Sequence, residues 1–176
     1  MPMRRHPVAA SGPPDHLAAI PIDHALIARL EASFTLLRQQ SAHLGEVFYA
    51  KLFAAAPHLR PLFRSTPQEQ AAKLVASLDT IVRNLAAPEA NAAMLSALGR
   101  RHAGYGAKPE HYDLVVDLLL ESMREVLGAR ADEQAQDEWR TALRLVSKQM
   151  IEAQEPRQRT APRGNVSEPV SYTHLR

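Results

Sequence analysis

The stretch Leu98-Gly99-Arg100-Arg101-His102-Ala103-Gly104-Tyr105-Gly106-Ala107-Lys108-Pro109-Glu110-His111-Tyr112 decides how this chain reads. It sets a histidine in the last turn of one helix, ends that helix with glycine and starts another at proline. Glycine tolerates the left-handed conformation that commonly closes a helix, so Gly104 or Gly106 is the expected cap. Pro109 suits the first turn of the next helix, where its missing N–H costs nothing. Lys108 is driven to extended backbone by the proline after it. The result is an imidazole on a short helix beside a sharp corner, with the Tyr112 ring across it. Such a group can serve as a single axial ligand to a metal held by something other than the protein.

On its own, a histidine at a helix end is more often structural, because a helix C-terminus attracts cations and offers free carbonyls. The other histidines (His6, His16, His24, His43, His58, His111, His174) form no H-x-x-x-H or H-x-x-E-H pair on a helix face. The sequence contains no cysteine, which removes zinc fingers, iron–sulfur clusters and disulfides together. A bare metal would lack ligands here; a metal inside a cofactor would not.

A length of 176 residues suits one domain with flexible ends. The basic start Met1–His6 is followed by no continuous apolar run, so a signal peptide is not expected, and no stretch approaches the ~20 apolar residues of a membrane span. The net charge of +2 comes from the termini. Residues 1–22 carry +1 and residues 155–176 carry +2, which leaves −1 on residues 23–154. A nearly neutral domain gives little support to a nucleic-acid face, and the basic, proline-containing ends are expected to be disordered. Cytoplasmic residence fits the absence of cysteine. Val170–Leu175 reads in frame as a transposase end sequence used in preparing sequencing libraries, so adapter read-through is expected there.

Between the ends, helical spacing recurs and strand alternation does not. Leu26, Leu30, Phe34 and Leu37 follow Asp23, an expected N-cap. Val47, Phe48, Leu52 and Phe53 line a second helix ending before Pro57, and a turn leads on to Pro61-Leu62-Phe63. Leu74, Leu78, Ile81, Val82 and Leu85 form a stripe closed by Pro88. Met94, Leu95 and Leu98 line the helix bearing His102; Tyr112, Val115, Val116, Leu119, Met123 and Val126 follow Pro109; Trp139, Leu143, Val146 and Met150 run along the last helix after Asp132. The pattern predicts an all-α domain of six main helices plus a short turn.

In that order the chain resembles a bacterial globin, and more narrowly the single-domain relatives of the flavohaemoglobin globin module. The resemblance covers residues 23–154. Val47–Phe53 is similar to the family's B helix, Pro57–Phe63 to its C helix and the corner after it, and Gln70–Leu74 to its distal E helix. His102 with Tyr105, Pro109, Glu110 and Tyr112 matches the proximal segment, and Trp139 stands where the H helix usually carries tryptophan. The implied architecture is the globin fold, with helices A, B, C, E, F, G and H around a pocket for haem b.

The resemblance implies roles. His102 would coordinate the iron, with its other ring nitrogen on the Leu98 carbonyl. Phe63 would lie against the porphyrin, Leu74 would close the distal side, and Tyr112 would stand behind His102. Tyr49 and Gln70 would donate to bound dioxygen, which carries negative charge. Read without the resemblance, Phe63 and Tyr49 also suit an ordinary core and Gln70 a solvated surface. One departure stands out: counting from Trp139, the glutamate that polarises the proximal histidine in flavohaemoglobins is Gln154 here. Two functions follow as expectations. One is reversible binding of dioxygen, with NO and CO as further ligands. The other is an NO dioxygenase served by a separate flavoprotein reductase, because no nucleotide-binding glycine motif is present. Neither membrane nor nucleic acid is an expected partner.

Overall fold

Asp23 opens the first helix as the sequence predicts, its carboxylate accepting the Leu26 N–H at 2.7 Å. The computed structural model describes residues 23–155. The expected tails at 1–22 and 155–176, with the Val170–Leu175 segment, lie outside the described residues except for Glu155, which caps α6. The helices are α1 (His24–Arg38), α2 (Ser41–Ala55), a 3-10 helix (Pro57–Leu62), α3 (Pro67–Arg83), α4 (Pro88–Gly104), α5 (Pro109–Leu127), a 3-10 turn (Gly128–Arg130) and α6 (Glu133–Gln154). The all-α expectation holds: among the described residues there is no strand.

The local chemistry at the ends is legible. Thr66 and Glu69 cap α3 reciprocally, the Thr66 hydroxyl accepting the Glu69 N–H and the Glu69 carboxylate accepting the Thr66 N–H. Asp132 accepts the Gln134 N–H at the start of α6. Two expectations need correction. The helix bearing His102 is not short, since α4 runs 17 residues from Pro88. Leu85 lies beyond α3, which ends at Arg83 with Asn84 as its cap; Leu85 is nonetheless buried, reaching the core from the turn.

Packing divides the apolar interior in two. The larger cluster joins α1, α2, α3, α5 and α6 around Leu30, Phe34, Leu37, Leu44, Leu52 and Met123. Trp139 closes one end of it, its indole donating to Ser33 Oγ at 2.9 Å and its ring 6.1 Å from Phe34. The smaller cluster is Ile81, Leu95, Tyr112, Val146 and Met150. It exists because α4 packs chiefly on α6 and makes little contact with α3. The helix that carries His102 is thus anchored on one side and open on the other.

Two glycines permit the closest approaches. A Cβ at Gly99 would lie 2.3 Å from the Met150 carbonyl oxygen, and one at Gly45 would lie 2.1 Å from Ala71 Cβ. Gly99→Ala therefore forces α4 away from α6 backbone and should cost about 3 kcal/mol in urea unfolding. Gly45→Ala should cost a similar amount, and Ala71→Gly in the same chain should recover only part of it, because the Ala71 Cα would still lie 2.8 Å from the new Cβ. No side-chain change at Met150 should rescue Gly99→Ala.

Candidate functional site

His102 sits in the last turn of α4, and its Nδ1 lies 2.9 Å from the Leu98 carbonyl. A carbonyl only accepts, so Nδ1 carries the proton and Nε2 keeps its lone pair for the cleft that His102 lines. Burial holds the imidazole below its ordinary pKa of 6.5; the Leu98 bond opposes that shift and the Arg101 charge adds to it. The neutral ring is the form that ligates a metal.

Beyond His102 the chain turns. Tyr105 caps α4, and Gly106 takes the left-handed conformation at φ 97°, so Gly106 is the stop and Gly104 belongs to the helix. A Cβ at Gly106 would lie 3.1 Å from a Leu62 methyl, which puts this corner directly against the 3-10 helix. Lys108 is extended, and its N–H donates to His111 Nδ1 at 3.1 Å to start α5.

The space between corner and 3-10 helix is a cleft of about 430 Å³. Leu62, Phe63, Arg64, Gln70 and Lys73 line one side; His102, Tyr105 and Ala107 line the other. No carboxylate lines it. Lys73 Nζ donates to Ser65 Oγ at 2.9 Å on its rim. Sequence reading missed Arg64, Lys73 and Tyr105. The signal for Lys73 was present, because it lies three residues after Gln70 on the same helix face.

The residues singled out in the sequence do not all meet here. Phe63, Gln70 and His102 line the cleft. Leu74 packs against the larger cluster, Leu98 against the smaller, and Tyr112 is buried in the smaller one. Tyr49 borders a separate groove of about 650 Å³ between α2 and α3. Its hydroxyl donates to the Gln70 carbonyl at 3.4 Å, a long bond, and its ring meets Phe63 edge-on at 5.5 Å. Tyr49 thus stands between groove and cleft. Burial pushes its pKa up to about 12, so it stays a donor at every physiological pH.

Behind His102, the Gln154 amide donates to Tyr112 Oη at 2.5 Å and to the Gly99 carbonyl at 3.3 Å. The count from Trp139 therefore lands on a residue that reaches Tyr112. Glu152 instead pairs with Lys148 on the surface of α6. The Tyr112 ring lies 6.5 Å from the His102 ring, and burial raises its phenol pKa. No carboxylate hydrogen-bonds His102 or Tyr112 among the described residues.

These features fit the haem that the resemblance implies. Leu62 and Phe63 give the cleft apolar surface, a neutral imidazole on its lining keeps one nitrogen free, and Arg64 and Lys73 make it cationic, as a porphyrin's carboxylates require. Among the described residues no cluster of three or more His, Asp or Glu could hold a bare metal ion, and no helix is long and apolar enough to cross a membrane.

Comparison with known proteins agrees with this geometry. The globin family model matches residues 46–150. The flavohemoprotein of Rhizobium meliloti is 31% identical over 116 residues, and that of Deinococcus radiodurans 31% over 127 residues. These matches cover 64% and 70% of this chain but only 29% and 32% of those proteins, so the chain spans about a third of their length. Among solved structures, an engineered carbene transferase from Rhodothermus marinus, assigned as a nitric oxide dioxygenase, superposes with a TM-score of 0.66 at 26% identity, covering 75% of this chain and 92% of that one. A bacterial globin from Campylobacter jejuni superposes with a TM-score of 0.65 at 20% identity, covering 75% and 96%.

The depressed His102 pKa makes stability pH-dependent in a definite sense. Below its ordinary value the unfolded chain binds a proton that the folded chain resists, so stability is full above about pH 7 and falls as pH drops through 6.5. Urea midpoints of the protein without added ligand should decline between about pH 7 and pH 5, and His102→Leu should flatten that decline.

Proposed function

Because the chain belongs to the globin family, we propose that it holds one haem b and binds dioxygen reversibly. The observation that carries this reading is His102, with Nδ1 committed to the Leu98 carbonyl and Nε2 left free on a cleft that Leu62 and Phe63 also line. Haem, when bound, supplies the iron that takes the gas. The absence of cysteine rules out thioether attachment to this sequence, which favours the non-covalent b type.

The chain's own residues then have distinct tasks. His102 stays neutral and presents Nε2. Phe63 gives the ring an apolar wall and keeps water away. Arg64 and Lys73 at the rim meet carboxylates. Tyr49 and Gln70 supply donors for a gas that draws negative charge when bound, and Tyr49 does so by giving up its long bond to the Gln70 carbonyl. A hydrogen bond to a charged group contributes about 1.5–3 kcal/mol, or roughly ten- to a hundredfold in affinity. Gln154 cannot lend His102 negative charge through Tyr112, as a glutamate would. A neutral proximal imidazole favours holding dioxygen over activating it.

Absorption spectra test the reading. The purified chain loaded with hemin should show ferrous spectra that change on adding CO or dioxygen, and His102→Gly should lose tight haem binding and regain it with added imidazole. Tyr49→Phe should release dioxygen at least about tenfold faster, with CO release changed less. Unchanged haem content in His102→Gly would overturn the assignment.

A second reading, NO dioxygenase, is favoured by the likeness to the Rhodothermus marinus protein. That reaction consumes an electron in each cycle. The oxygenated protein should remove about one equivalent of NO, stop with ferric iron in the presence of NADH alone, and resume when a flavoprotein reductase is added. Sustained NO removal by the pure chain with NADH would overturn the carrier reading.

A further inference from the structure

Among the described residues six cations are ion-paired; of the nine that are not, Arg60, Arg100, Arg124, Arg130 and Arg144 lie elsewhere, and four belong to the cleft and the corner beside it. Arg29, Arg38, Lys51, Arg83, Arg140 and Lys148 each pair with a carboxylate, on α1, α2, α3, α5 and α6. Among the described residues no ion pair involves α4 or the corner after it. There Arg64 and Lys73 line the cleft, Arg101 lies one turn before Tyr105 with its charge felt by His102, and Lys108 follows the Gly106 turn. All four are exposed. Of the nearby carboxylates, Glu69 accepts the Thr66 N–H at 3.1 Å, and Glu110, exposed in the first turn of α5, pairs with neither Arg101 nor Lys108.

A second, independent observation points to the same place. Tyr105 is 66% exposed, the one large hydrophobic residue so exposed among the described residues, and it stands at the mouth of the cleft. Exposed aromatics ringed by charge are what contact surfaces use as anchors, and unpaired cations steer an oppositely charged partner to them.

We propose that Tyr105, Arg101 and Lys108 form the docking surface for an acidic one-electron donor protein that delivers its electron at the cleft mouth. The inference rests on the haem reading above. Arg64 and Lys73 are taken up by the ligand's carboxylates, whereas Arg101 and Lys108 lie outside the lining and remain for a partner. The chemistry balances: the donor's flavin hydroquinone gives one electron and one proton and becomes the semiquinone. The electron converts ferric to ferrous iron, and the proton passes to solvent.

Flavodoxin, an acidic FMN protein, is a direct probe. Calorimetric titration into the protein with and without haem should show binding at about 20 mM salt that weakens at least tenfold at about 300 mM. Arg101→Glu with Lys108→Glu should abolish that binding, and with haem loaded should slow reduction by flavodoxin hydroquinone at least tenfold, while reduction by dithionite and the helical circular dichroism stay as they were. Arg124→Glu, on α5, a helix the cleft lining does not include, should change nothing. Equal loss in Arg124→Glu, salt-independent binding, or no loss in the double variant would overturn the proposal. So would binding through these residues to phosphatidylglycerol vesicles but not to flavodoxin. Failure to load haem while flavodoxin still binds the apoprotein would overturn the haem reading and leave this surface standing.

Discussion

The approach of α4 to α6 at Gly99 is the constraint on which the site depends. With no side chain at Gly99, helix backbone meets helix backbone, a Cβ there falling 2.3 Å from the Met150 carbonyl oxygen. Gln154 reinforces the contact by donating to the Gly99 carbonyl. Leu95 and Met150 fill the remaining space in the smaller cluster. All of this holds α4 from one side. Its opposite side faces the 3-10 helix and the start of α3, and there the cleft opens. Were α4 packed on both sides, His102 would be an ordinary core histidine.

Electrostatics at the site follow from that placement. Burial keeps the imidazole neutral, and the Leu98 carbonyl one turn earlier selects which nitrogen holds the proton. A structural imidazole needs no free lone pair, whereas this one keeps a nitrogen free on the lining of the cleft. Behind it, Gln154 uses its amide protons on Tyr112 and Gly99. The side chains behind His102 are therefore hydrogen-bonded to one another without a carboxylate, in keeping with the function proposed above. Charge gathers instead at the mouth, where solvent reduces its cost and partners can sense it.

Much of this was legible beforehand, for local reasons. Glycine at positive φ, proline in a first turn and aspartate at an N-cap each act through one or two residues, so Gly106, Pro109, Asp23 and Asp132 could be read directly. The spacing of fifteen between Trp139 and Gln154 could also be counted, because α6 is an unbroken helix. The length of α4 was harder to read. Pro88 starts it, but Ala and Asn in its first turns give no apolar stripe, since its inner face meets α6 through small residues. Leu85 misled in the opposite way, its burial being earned by a turn rather than by a helix.

By itself, the sequence determined the number and order of the helices, the histidine at the corner and its carbonyl partner, because these rest on contacts within a turn or two of chain. Only the tertiary structure decided where Tyr49 points. Its position on α2 made it a donor candidate, but its hydroxyl lies on the Gln70 carbonyl and its ring walls off a groove from the cleft. The crossing of α2 and α3 at Gly45 and Ala71 sets that relation, and a crossing is a property of two helices far apart in sequence. The cationic rim was decided the same way. Arg64 and Lys73 come from outside the corner and share a cleft with His102 and Tyr105 only because the corner at Gly106 closes on Leu62.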